Sequence, residues 1–351
     1  MSEFIGKKLR IRIYGESHAE EIGVVASGFP EFEPDMDELA SFMDRRKASN
    51  GVFSTPRREA DEPVFDGALG GKIKGKFSAK IINGNKKSAD YNELYAKPRP
   101  SHADYAWHLK DGALDFSGGG RFSGRLTAPL AVVGGIAKQI LEKRGITVSA
   151  YVSAVGSVKA RSYKDGALSD KDIQNLRQGV FPSLDKKEEI IAEITGIKQE
   201  SDSVGGTIEC VVSGMPVGVG DNLFGGLEGK IASLVYAVPG VKGVEFGAGF
   251  DLAEMRGSVA NDPLAILDGK VVLKKNDSGG INGGISNGEQ ITLSVVMRPT
   301  PSIGIEQGTV DLATMQNTTI KIKGRHDACI VPRAVPCIES AVAIAILDEI
   351  L

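Results

Sequence analysis

The segment at residues 127–144, TAPLAVVGGIAKQILEKR, limits the fold of this chain more than any other. It has helical length, stops at Gly145 as helices commonly do, and is nearly free of charge until Lys138. A helix with no polar face belongs in the interior, so this one is expected to be central. Gly134, Gly135 and Ala137 are small enough for close packing against a neighbour. A second apolar helix is expected at residues 335–351. The run at 127–137, bracketed by Arg125 and Lys138, is too short to cross a bilayer, and no membrane span is expected.

Strands and helices alternate irregularly around these two. Residues 8–14 and 22–26 have strand patterning, and residues 34–46 carry Met36, Leu39, Ala40 and Met43 at helical spacing behind Pro34-Asp35. Further on, Ile190, Ile191 and Ile194 suggest a helix, 207–212 a strand, 223–238 a helix and 290–297 a strand. No βαβ spacing repeats and no linker interrupts the chain. The expectation is therefore an α/β (α+β) fold in layers, formed as one domain over residues 1–351.

Several function classes drop out on charge and motif. The net charge of -3 gives no general attraction to nucleic acid or anionic lipid, so an anionic ligand would need a local set of arginines. Cys210, Cys329 and Cys337 contain no C-x-x-C pair, which argues against a disulfide framework and a zinc site. His102-Ala103-Asp104 lacks a third ligand at matching spacing, so no metal is expected. Residues 1–13 lack the core of a secretory signal, and a cytoplasmic location is expected. Residues 70–77 nearly spell a P-loop, but Phe77 stands where a hydroxyl is required. No G-x-G-x-x-G opens a helix after a strand. Gly15-Glu16-Ser17-His18-Ala19 resembles a hydrolase elbow only faintly, because a strand follows it instead of a helix.

The chain has 44 glycines, many in runs such as Gly118 to Gly120, Gly205-Gly206, Gly279-Gly280 and Gly283-Gly284. Each alone would pass as a tight turn. Arginines gather beside them: Arg45-Arg46, Arg57-Arg58, Arg99, Arg121 and Arg125. A bidentate guanidinium suits phosphate and carboxylate better than an ammonium does. Arg45-Arg46 and Arg57-Arg58 taken alone fit solvated surface charge equally well. In Gly324-Arg325-His326-Asp327 an extended backbone would put Arg325 and Asp327 on one face, an anion-binding cation beside a carboxylate base. Three of the four histidines, His18, His102 and His326, lie in such polar, glycine- or arginine-rich segments.

At this point a family resemblance is carried by motifs along the whole chain. Gly15-Glu16-Ser17-His18, Ser54-Thr55-Pro56-Arg57-Arg58-Glu59-Ala60-Asp61, Arg99-Pro100-Ser101-His102-Ala103-Asp104-Tyr105 and Gly118-Gly119-Gly120-Arg121 resemble successive signatures of the chorismate synthase family. Asp202-Ser203-Val204-Gly205-Gly206, Val241-Lys242-Gly243-Val244-Glu245, residues 279–288, and Gly324-Arg325-His326-Asp327 with Val331-Pro332-Arg333-Ala334-Val335-Pro336 continue it in order.

The resemblance implies a β-α-β sandwich, a homotetramer, and reduced FMN bound beside 5-enolpyruvylshikimate 3-phosphate. It also implies the reaction, an anti-1,4-elimination of phosphate that yields chorismate without net redox change. Flavin reduction by NADPH and by an external reductant both stay open. Residue by residue, His18 matches the histidine that protonates the departing phosphate, assisted by Ser17. His102 matches the proton donor to reduced flavin, and Asp327 the carboxylate that helps remove the ring proton. Arg46, Arg125 and Arg325 match substrate clamps, with Arg57 and Arg99 behind them. FMN contacts would come from Arg121, Phe122, Ser123, Pro239, Gly240, Gly283, Arg298, Pro299, Thr300, Pro301, Ser302 and Arg325. Departures from the usual pattern fall at Ala19, Val52, residues 70–79, Phe122, Gly124, Leu126, Pro239-Gly240 and Pro301. A diverged lyase acting on a related phosphorylated cyclic acid and a non-catalytic flavin-binding protein are the competing readings.

Overall fold

The computed structural model describes residues 2–17, 19–47, 61–66, 72–83, 95–114, 119–178, 181–322 and 327–351. Strands β1 (Ser2–Ile5), β2 (Arg10–Gly15), β3 (Glu21–Ser27), β4 (Val64–Phe65) and β5 (Lys76–Ile82) make an antiparallel sheet with β5 between β3 and β4. Alternation selects its inner face. Ile22, Val24 and Ala26 of β3 are buried with Phe77, Ala79 and Ile81 of β5, and Val24 pairs with Ala79 across the ladder. A strand, β5, follows the near P-loop where a nucleotide site would need a helix.

Strands β6 (Thr147–Val155), β7 (Val158–Lys159), β8 (Gly206–Ser213) and β9 (Val241–Phe246) enter a second sheet. Two hairpins, β10 (Leu264–Leu267) with β11 (Lys270–Leu273) and β12 (Ile281–Asn282) with β13 (Ile285–Ser286), lead to its remaining strand, β14 (Ile291–Met297). The order is β7-β6-β8-β14-β9, and a separate hairpin pairs β15 (Gln307–Asp311) with β16 (Gln316–Ile320). The inner strands β6, β8 and β14 are buried along most of their length. Tyr151 and Val211 pack outward against Tyr163, Leu168, Ile173 and Leu176, so both faces of this sheet carry apolar side chains.

The helices are α1 (Met36–Asp44), α2 (Asp104–Asp111), α3 (Thr127–Glu142), α4 (Asp170–Gln178), α5 (Lys187–Gln199), α6 (Leu227–Tyr236), α7 (Gly257–Ala260) and α8 (Val331–Ile350). Helix α3 packs on β3 and β5 of the first sheet, on β6 of the second, and on α1 and α8. Helix α8 packs on α6, β6 and β8. The result is the layered β-α-β sandwich expected from the sequence. One continuous cluster of buried apolar side chains runs from Leu9 through α3 and α8 to Val295.

Two boundaries differ from expectation. The helix expected from residue 223 begins at Leu227, because Leu223 takes a left-handed backbone (φ 47°) and residues Leu223–Gly225 form a single 3-10 turn. Helix α8 starts four residues before residue 335 and contains Pro336. That proline lies inside the helix and offers no amide to the Pro332 carbonyl four residues earlier. Glycine at 134 is required sterically, since a Cβ there would come within 2.1 Å of the Ser340 Cβ on α8.

Candidate active site

Two helix ends and one strand end converge on a buried carboxylate. Helix α1 ends before Arg46, α3 starts after Arg125, and Asn83 follows β5. Asp61 accepts from both guanidiniums, Oδ2 from Arg46 Nη2 and Oδ1 from Arg125 Nη1. Arg46 Nη1 also donates to Thr127 Oγ1 (3.2 Å), and Arg125 Nε donates to Asn83 Oδ1 (3.0 Å). All of these groups are buried. Burial works to raise the Asp61 carboxyl, but Arg46 and Arg125 outweigh it and hold it below the usual carboxylate range. The surface-charge reading of Arg45-Arg46 fails: Arg45 forms a bidentate pair with buried Glu339 at 2.9 and 3.0 Å.

A second group is built just before α2. Arg99 donates to Asp104 through Nε (2.8 Å) and Nη2 (2.9 Å), and Asp104 also meets the Nδ1 of His102. Burial opposes ionisation of Asp104, yet the hydrogen bonds from Arg99 and His102 hold its carboxyl down at about 2. An ionised Asp104 fixes the proton of His102 on Nδ1 and turns Nε2 to the site. There, Nε2 lies 3.8 Å from where a Cβ on Gly119 would stand. Arg298 ties in through Nη1 to the Ser101 carbonyl (2.6 Å) and its own N–H to the Gly240 carbonyl (2.9 Å).

The two groups join in a ring. Arg333, in the first turn of α8, donates Nη1 to Asp327 Oδ2 (2.7 Å) and Nε to the Arg46 carbonyl (3.3 Å). Thr300 Oγ1 donates to the Asp327 carbonyl (3.0 Å), and two residues on, Ser302 Oγ lies 3.5 Å from Arg99 Nη1. The turn at 119–123 lies between His102, whose Nε2 is near Gly119, and Arg125, whose backbone N–H donates to Ser123 Oγ (3.2 Å). Its Gly120 carbonyl accepts from Ser17 N (3.2 Å). Beside this ring, Ser17 Oγ and Arg46 Nε are buried with no hydrogen-bond partner among the described residues. A buried donor left unmade costs about 1–3 kcal/mol, which a ligand would recover.

A family model described as chorismate synthase matches residues 9–351. The chain belongs to the chorismate synthase family. It is 41% identical over 350 residues to the chorismate synthase of Thermococcus kodakarensis, covering 99% of this chain and 97% of that one. It is likewise 41% identical over 355 residues to that of Dehalococcoides mccartyi (99% and 96%), and 38% identical over 352 residues to that of Methanosarcina barkeri (99% and 95%). Its fold matches a crystal structure of chorismate synthase with a TM-score of 0.77 at 23% identity, over 99% of this chain and 93% of the other.

Of the residues singled out by the chorismate synthase resemblance, His18, Arg57 and Arg325 lie outside the described residues, as does Val52. The ring brings together His102, Asp327, Arg46, Arg125, Arg99, Thr300 and Ser302, with Ser17, Ser123, Gly240 and Arg298 against it. Pro299 and Pro301 lie in the same stretch. Arg121 and Phe122 are exposed; the Arg121 guanidinium lies 4.9 Å from the Trp107 ring centre, and Trp107 meets Phe122 edge-on at 5.3 Å. Gly283 stands apart in the β12–β13 turn, which is tied to α6 by Leu227 N–H to the Gly284 carbonyl (3.0 Å). No hydrogen bond among the described residues links it to the ring. His108 lies in the last turn of α2, its Nδ1 on the Ala113 carbonyl at 2.8 Å. Asp61, Asn83, Asp104 and Arg333 were given no catalytic or binding role from sequence. The available signal was that Asp61, Asp104 and Arg333 sit inside the matched motifs.

Proposed function

We propose that the protein converts 5-enolpyruvylshikimate 3-phosphate to chorismate and phosphate by anti-1,4-elimination, with reduced FMN as cofactor. The observation that supports this reading is the run of contacts in which a buried arginine pair, a carboxylate and an oriented histidine follow one another. The donor set also fits a phosphorylated flavin. Arg121 and Arg298 offer cations, Ser123 and Ser302 offer hydroxyls, and Trp107 with Phe122 offers an aromatic flank. Reduced FMN, when bound, supplies reversible electron transfer that leaves the elimination redox-neutral.

The chain's own groups have separable tasks. Arg46 and Arg125 bind the anionic groups of the substrate, and Ser17 with His18 attends the departing phosphate. His102 holds a proton at the site, its ring fixed through Nδ1 by Asp104, with Arg99 supporting that carboxylate more than clamping substrate. Asp327, held by Arg333, takes part in accepting the proton lost from the ring carbon as the carbon–oxygen bond to phosphate breaks. This reading brings with it a single domain over residues 1–351, a homotetramer and a cytoplasmic location.

The test is an anaerobic assay with chemically reduced FMN, following chorismate and phosphate together. Stoichiometric release of both is expected from the wild type. Asp327→Asn keeps the shape of the side chain while removing its basicity, and should slow turnover by roughly 100-fold or more. Phosphate release without chorismate from the wild type would refute the assigned reaction. Near wild-type turnover by the variant would remove Asp327 from the proton step.

A further inference from the structure

We infer that Asp61 is a positioning residue whose carboxylate sets the geometry of Arg46 and Arg125 for the anionic substrate. The inference rests on the function proposed above and assigns a task to a residue whose side-chain hydrogen bonds, among the described residues, go to the two arginines.

The geometry is specific. Asp61 gives one oxygen to each guanidinium, and the two arginines come from different elements, one at the end of α1 and the other just before α3. Its side chain is only 2% exposed. Two guanidiniums buried side by side would repel each other strongly, because little water is present to screen them. A carboxylate between them lets both stay charged and near each other, and the pair keeps one net positive charge for an incoming anion. One further donor of each is fixed from outside, Arg46 by Thr127 and Arg125 by Asn83. Arg46 Nε is buried with no hydrogen-bond partner among the described residues. Asp61 therefore holds one edge of each arginine, and Arg46 keeps a donor for ligand. Its backbone is left-handed (φ 49°), a conformation that aspartate tolerates better than most side chains and that a functional site can retain.

Two other roles make different predictions. A residue needed only for folding would change stability and the active fraction, leaving the affinity of the folded molecules alone. A carboxylate standing in the anion's own place would compete with substrate, and its neutralisation would tighten binding.

The experiment compares wild type, Asp61→Asn and Asp61→Glu in the anaerobic assay with reduced FMN, alongside thermal unfolding. For Asp61→Asn the KM for 5-enolpyruvylshikimate 3-phosphate should rise roughly tenfold to a hundredfold, with kcat per folded enzyme within about threefold. Asp61→Glu keeps the charge but moves it by one methylene, so a smaller rise in KM is expected with unfolding close to wild type. Should Asp61→Asn not fold, the glutamate variant carries the same test. Phosphorus NMR line widths for inorganic phosphate with the flavin-free protein give a readout that needs no turnover. Phosphate should bind more weakly to the variants. If the wild type fails to turn over, the proposed reaction falls, and the phosphate titration still decides the role of Asp61. An unchanged KM and phosphate affinity in the folded variants, or a tighter one, would overturn it.

Discussion

His102 illustrates how one side chain's chemistry is set by its neighbours. Its Nδ1 meets Asp104, Asp104 is held by Arg99, and Nε2 is what remains for the site. Asp104→Asn should leave the imidazole free to take either tautomer and slow turnover by roughly tenfold or more. The same substitution has a pH signature. The folded-state carboxyl of Asp104 is depressed to about 2, so the stability it lends is present above the ordinary carboxylate range and lost as pH falls through about 2. The difference in Tm between wild type and Asp104→Asn should stay constant above about pH 4 and close below it. Melting curves from neutral to acid pH check this, and a gap that widened toward acid would contradict it.

Helices α3 and α8 form the middle layer, and their contact is set by glycine. At Gly134 a Cβ would press on Ser340, and at Gly135 it would meet Leu39 Cδ1 at 2.6 Å. Gly196 in α5 is different, with nothing within 4 Å of an added Cβ. Alanine generally improves a helix interior relative to glycine by about 0.5–1 kcal/mol, so Gly196→Ala should stabilise by that amount. Gly134→Ala should instead destabilise by about 1–3 kcal/mol, because crowding outweighs propensity where two helices touch. Urea unfolding of the two variants measures both, and equal gains would show that α3 and α8 can move apart freely. The helix was legible in sequence, and so was the closeness its small residues permit. Ser340 as the contacting residue was not.

Across the molecule, Glu339 fastens the layers. From α8 its carboxylate accepts from Arg45 beyond α1, from Lys138 in α3 and from the Ala150 amide in β6 (2.8 Å). Lys138 Nζ also donates to the Val148 carbonyl (2.8 Å). Burial pushes Glu339 toward the neutral acid, but Arg45 and Lys138 prevail and hold its carboxyl at about 2. Glu339→Gln would leave two cations facing each other in the core. It should cost about 3–5 kcal/mol and lower the Tm in a single cooperative transition, since the first sheet, helical layer and second sheet share one core. A shift of less than a degree would mean that the cations find other partners. Arg45 next to Arg46 also makes this network the neighbour of the arginines proposed to bind substrate, so loss of Glu339 should impair turnover as well.

The sequence by itself determined the layered class, the central helices, the strands β2, β3, β8 and β14 and the order of the glycine- and arginine-bearing motifs. These follow from local patterning, where a period of two or 3.6 and the freedom of glycine act within a few residues. Tertiary structure alone decided which charges meet. Arg45 finds Glu339 and Arg46 gives its carbonyl to Arg333 across nearly the whole chain, while Asp61 is shared by arginines from two elements. A surface arginine and a buried one have the same local sequence pattern. Burial removes the water that would otherwise solvate each charge, and it is this loss that forces every guanidinium and carboxylate to find a partner wherever the fold brings one.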